Sequence, residues 1–205
     1  MAQALTTAAI AFGRNIVGIV TRPYETYRRI VHHSNLWEMV FIGIVVVLYL
    51  GVASIVKTSL FRPFLLTRQF FVLGTGVTAT FLLTVFLFWQ VSRVLGSQGN
   101  LVSFALAWAY SLIPTAAWFW MTSLLYIILP PPRTTSVLGI IFSVMYLLIS
   151  ATLFFWKIIL SYLALRFGLR LDLKKISILS AVVLPMLVVY SIGMYRMGIF
   201  RIPFI

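Results

Sequence analysis

From Trp37 onward the chain is five long apolar runs separated by short basic segments, and its 205 residues include only three acidic ones. A helix needs about 20 consecutive apolar residues to cross a bilayer. Five stretches reach that length, near 37–56, 70–92, 101–129, 136–160 and 176–195. The expected fold is therefore all-α: a polytopic bundle of five transmembrane helices over 37–205, preceded over 1–36 by interfacial amphipathic helices on the cytoplasmic side.

With 62% apolar residues, 9% charged and a mean hydropathy of +1.07, the chain lies far from soluble domains, in which about a quarter of residues carry charge. No polar block is long enough for a separate soluble domain. The net charge of +13 is spread over helix ends and forms no dense tract interleaved with aromatics, so nucleic acid is not an expected partner. Anionic lipid head groups are, together with other membrane proteins or a second copy of the chain. The absence of cysteine excludes disulfides, thiolate chemistry and zinc–thiolate sites. Arg14 and Asn15 interrupt the N-terminal segment where a signal peptide would run apolar, so the first span is expected to serve as its own insertion signal.

Along the chain, Leu5, Ala9, Phe12, Ile16 and Ile19 recur at helical steps. This predicts a helix lying on the membrane surface or packed across the ends of the bundle. Pro23 opens a second short helix with Tyr24, Tyr27, Ile30 and Val31 on one face, and Glu25 is placed to pair with Arg28 or Arg29. Asn35 and Glu38 form a capping-box pattern in which Glu38 reaches back.

The segment 58–68 is expected as an interfacial loop. Gly74, Gly76, Thr78 and Thr80 are expected to face a neighbouring helix, as is the stripe of Ser103, Ala107 and Ser111. Pro185 is expected as a kink within a long helix, and Pro114 to kink the third span or break its hydrogen-bond ladder. After span four, Leu165, Leu169 and Leu173 alternate with Arg166, Arg170 and Lys174, predicting a basic amphipathic helix. Arg22, Arg28, Arg29, Arg166, Arg170, Lys174 and Lys175 are the candidate head-group contacts. Nine cations fall on the N-terminal side of the five-span layout and six on the other, so the positive-inside rule puts the N-terminus in the cytoplasm and the C-terminus outside.

Catalytic chemistry has little to stand on. Capping and charge pairing account for Glu25, Glu38 and Asp172, and the adjacent His32 and His33 point about 100° apart on a helix, so no metal, cofactor or catalytic residue is expected. Gly74-x-Gly76 lies inside an apolar span and is a packing feature, not a nucleotide loop. Lys157 is the exception, an ionisable group within a span. It either snorkels to the interface or faces the interior, where Tyr110 and Tyr162 would complete a polar site.

Arg22-Pro23 with Tyr27-Arg28-Arg29, Ala109-Tyr110-Ser111-Leu112-Ile113-Pro114, and Trp156 through Tyr162 to Leu165-Arg166-Phe167-Gly168-Leu169 resemble the membrane domain of the Yip family, named for Rab/Ypt-interacting proteins, in its bacterial form. The resemblance spans nearly the whole chain. It implies a small helical bundle without catalytic machinery in the bacterial inner membrane, whose eukaryotic relatives are similar to adaptors in vesicle traffic. This chain departs from them in lacking their acidic–aromatic–Gly–Pro signature before the first span and their long N-terminal region, so no GTPase partner is expected. The expected function is a non-enzymatic protein that organises membrane or assists a partner complex. A transporter or channel component built around Lys157, and an accessory subunit of a larger assembly, are the alternatives.

Overall fold

The computed structural model describes residues 2–33, 35–57, 63–128 and 137–199, and all regular structure among them is helical. The helices are α1 (Ala2–Thr21), α2 (Pro23–His32), α3 (Trp37–Lys57), α4 (Pro63–Val94), α5 (Leu101–Tyr110), α6 (Ile113–Ile128), α7 (Val137–Gly168) and α8 (Leu173–Arg196). Among the described residues, four candidate spans are long and apolar enough to cross a membrane: Phe70–Val94, Leu101–Leu125, Gly139–Gly168 and Leu173–Arg196. The expected first span forms the helix α3, whose described apolar stretch Trp37–Val52 is shorter than those four. Ser34, residues 58–62 of the expected loop, and the Pro130–Pro132 connection lie outside the described residues.

Helices α1 and α2 pack on each other, α1 also against α3, and α2 against α5 and α7. They form a shelf across one end of the bundle. Pro23 starts α2 as expected, at a first helical position where its missing N–H costs nothing. Gly18 permits the close approach, since a Cβ there would meet the Thr26 hydroxyl. Beneath the shelf lies the largest core, where Ile19, Tyr27, Ile30, Leu106, Tyr110, Leu160 and Ala164 are buried.

A second core, built on Phe88, Phe104, Leu169, Leu179 and Val183, joins α4, α5, α7 and α8 at the same end. Further along, Tyr49 of α3 stacks on Phe119 of α6 at 4.8 Å. The span Leu101–Leu125 is the inner one, with 44% of its most apolar window buried, whereas the corresponding window of Gly139–Gly168 is 0% buried. An apolar surface of that length has no stable aqueous setting, and hydrocarbon supplies its solvent.

Three local expectations are corrected. The third span is two helices and not one kinked helix. Without an N–H, Pro114 cannot bond the Tyr110 carbonyl, so the chain breaks at Ser111–Leu112, with the Ser111 hydroxyl donating back to Trp108 O at 2.7 Å, and restarts with Pro114 in the first turn of α6. Pro185, by contrast, sits inside a continuous α8. The basic amphipathic helix after span four ends at Gly168, and residues 169–172 turn without helix; Leu165, Leu169 and Leu171 are buried while Leu173 is 61% exposed. Gly168 makes that turn possible by packing on the Phe104 backbone, where a Cβ would lie 2.8 Å from Phe104 Cα. Finally, α4 begins at Pro63, so the latter part of the expected interfacial loop is helical.

Of the small residues in α4, Gly76 is buried and Thr80 shares a hydrogen bond with Tyr190 of α8 at 3.2 Å, while Thr78 is exposed. The stripe of Ser103, Ala107 and Ser111 is buried throughout, as its spacing predicts.

Candidate functional site: a buried polar cluster and a lysine-lined groove

Where the shelf meets the bundle, polar residues from four helices converge. Tyr110 of α5 donates its hydroxyl to Glu38 Oε2 of α3 at 2.5 Å, and Asn15 Nδ2 of α1 donates to the same oxygen at 2.8 Å. Arg29 Nη2 of α2 donates to Asn15 Oδ1 at 3.0 Å, so the guanidinium reaches the carboxylate through the amide. Glu38 and Asn15 are each 3% exposed and Tyr110 is fully buried. A carboxylate with this little water is tolerable only while its donors are in place.

The expected capping box is half correct. Asn35 Oδ1 accepts from Trp37 N–H at 3.1 Å, but the Glu38 side chain turns inward instead of reaching back. The reason is phase: Glu38 lies one helical turn before the buried Ile42, on the face of α3 directed at the bundle. Asn15 likewise lies one turn before the buried Ile19 and two turns after the buried Ala8 on the core face of α1. Polar residues in phase with a buried apolar stripe were the available signal. Arg29, expected at the head groups, is instead half-buried and committed to Asn15. Glu25 pairs with the preceding Arg22 at 3.7 Å, on the exposed side, and not with Arg28 or Arg29.

Tyr27 borders this cluster fully buried, and its hydroxyl has no hydrogen-bond partner among the described residues. Burial, with Tyr110 nearby, raises its pKa above the ordinary phenol value. Tyr27→Phe removes an unsatisfied polar atom and is expected to stabilise the fold by about 1 kcal/mol. Above pH 10 or so the unfolded chain releases this phenolic proton while the folded one keeps it, so stability falls as pH rises. In thermal melts the Tyr27→Phe protein is expected to lose part of this alkaline sensitivity. An unchanged alkaline slope and melting point would contradict the assignment.

Lys157 lies elsewhere, on α7. It lines a groove of about 290 Å³ with Ser150, Leu153 and Phe154 of its own helix and Pro114, Thr115 and Trp118 of α6. Trp118 Nε1 donates to Ser150 Oγ at 2.9 Å, while Thr115 Oγ1 is buried without a partner among the described residues. Tyr110 and Tyr162 do not line this groove: Tyr110 is sealed against Glu38, and the Tyr162 hydroxyl accepts from Arg166 Nη1 at 2.6 Å.

The remaining candidate cations form a rim around the shelf end. Arg22, Arg28, Arg166, Arg170, Lys174 and Lys175 are all exposed there, and the turn carrying Arg170 is tied down by Ser97 Oγ donating to Leu169 O at 2.6 Å. Tyr24 of α2 meets Phe167 edge-on at 4.9 Å, fastening the shelf beside Arg166. Among the described residues no group of His, Cys, Asp and Glu could hold a metal ion.

Long apolar helices, an outer span with no buried window and a charged rim at one end define an integral membrane protein. The Yip1 domain matches residues 17–195, nearly the whole chain, and the protein belongs to that family. Comparison with curated proteins and with solved structures gives no match.

Proposed function

We infer that the protein is a non-enzymatic membrane organiser that presents a basic shelf to the cytoplasmic leaflet and thereby shapes the local lipid or supports a partner complex. The observation that carries this reading is the rim of Arg22, Arg28, Arg166, Arg170, Lys174 and Lys175, exposed at the end where the polar cluster fastens α1 and α2. Each such cation contributes on the order of 1 kcal/mol of attraction to an anionic leaflet. In this reading α3 crosses as the fifth span, the N-terminus and the 95–100 and 169–172 turns share the cytoplasmic side, and the end of α8 emerges opposite.

The lack of cysteine makes single-cysteine labelling clean. In intact cells an impermeant maleimide is expected to modify a Met197→Cys protein and to leave Gln98→Cys unmodified until the membrane is opened. Labelling of both from one side would refute the five-span layout. For the function itself, replacing Arg166, Arg170, Lys174 and Lys175 together by Gln is expected to reduce the protein's enrichment of anionic lipid in reconstituted bilayers severalfold, or its recovery with a partner in mild detergent. Retention of both would remove the rim from the proposal.

A further inference from the structure

We propose that the groove between α6 and α7 seats the phosphate of an anionic phospholipid against Lys157. The inference rests on the membrane reading and assigns that reading a discrete lipid site, separate from the basic rim. Three features converge on it.

First, Lys157 has no hydrogen-bond or ion-pair partner among the described residues, and no acidic residue lines the groove. A cation held in an apolar span without a counter-charge is costly, and the deficit is met by an anion from outside the chain. Second, the lysine does not lean toward the near end of its helix. It lies 11 positions before Gly168, about 16 Å along the axis at 1.5 Å per residue, and side chains on a helix tilt toward its N-terminus. The groove agrees, because its α7 wall is Ser150, Leu153 and Phe154, all N-terminal to Lys157. The stem thus points along α7 away from the shelf, where snorkelling would have sent it.

Third, the opposite wall is built for an anion. The break before Pro114 makes Thr115 a first-turn residue of the 16-residue α6; Pro114 has no N–H and that of Ala116 is taken by Leu112 O, which leaves the Thr115 N–H without an intrahelical partner at the positive end of the helix dipole. The unpartnered, buried Thr115 hydroxyl is available to donate as well. The occupant is a lipid and not a soluble anion, because the groove opens on the outer face of α7, beside Phe154 at 61% exposure and close to Phe155 and Ile158. Acyl chains continue that surface; a hydrated free phosphate does not.

The test uses the whole protein, delipidated in detergent micelles, and titrates phosphatidylglycerol or phosphatidylcholine while native mass spectrometry counts bound lipid. The wild type and Lys157→Arg are expected to take one phosphatidylglycerol at least about tenfold more tightly than phosphatidylcholine, a difference of about 1.4 kcal/mol. Lys157→Met is expected to lose that preference and Thr115→Val to weaken it, while Arg14→Gln, at an exposed cation outside both the groove and the rim, leaves the tight site intact. Equal binding of the two lipids, or a preference that survives in Lys157→Met, overturns the proposal. Displacement of the lipid by inorganic phosphate overturns the choice of occupant. Should Lys157→Met fail to fold, Lys157→Arg and Thr115→Val decide, since an unaltered preference in Thr115→Val counts against the site. Because binding is read in micelles, a negative result here leaves the five-span layout untouched, and a failed topology experiment leaves this site standing.

Discussion

Glu38→Ala is expected to detach the shelf from the bundle and to cost about 3–5 kcal/mol, the range for removing one partner of a buried charge network. Two groups lose their acceptor at once, Tyr110 Oη and Asn15 Nδ2, and Arg29 loses the charge it reaches through Asn15. Their burial prevents water from replacing the carboxylate. Two measurements check this. The melting temperature in detergent should fall, and trypsin should cut sooner after Arg14 and Arg28, which are exposed on the shelf. Glu38→Gln keeps an acceptor oxygen and should lose less. An Ala variant that melts and digests like the wild type would show that apolar contacts alone hold α1 and α2.

Gly99→Val is expected to destabilise the same end by about 3 kcal/mol, at the upper side of overpacking costs. A Cβ at Gly99 would run into the Gly168 carbonyl oxygen and Leu169 Cα. Both are backbone, so no rotamer change relieves the contact, and the clash falls where Ser97 bonds Leu169 O. The 95–100 and 169–172 turns would have to separate, uncovering Leu169 and Leu171. Gly13→Ala and Gly43→Ala are the controls, since a Cβ at either position meets nothing within 4 Å, and on a helix the change from Gly is worth up to about 1 kcal/mol in stability. A Gly99→Val protein as stable as these controls would show that the turns are not closely apposed.

Apolar runs of span length make the membrane class and most helix positions legible in the sequence, because a bilayer admits few other solutions for a chain this poor in charge. The small-residue stripe of α5 was legible for the same reason: spacing alone places Ser103, Ala107 and Ser111 on one face. The polar cluster was not. Glu38 has a satisfactory local explanation as a helix-start acid and Asn15 as an interruption of an apolar run, and only the juxtaposition of α1, α3 and α5 makes them partners. Pro114 was legible as a disturbance, but whether a proline kinks or breaks a helix depends on what receives the freed carbonyl. Lys157 stands out by its position in a span, but the groove it lines, with Ser150 and Thr115, exists only once α6 and α7 pack together.

The Glu38–Tyr110 bond joins residues 72 positions apart, and Asn15 meets Tyr110 across 95. A ribosome delivers the chain from its beginning, at about 5–20 residues per second, so α1 and α2 emerge seconds before the tyrosine that completes their mooring exists. Until then they have each other, α3 with its Glu38, and the membrane surface. A segment made before α5 is thus fully secured only after it, and its docking reports that the middle of the protein has been inserted correctly.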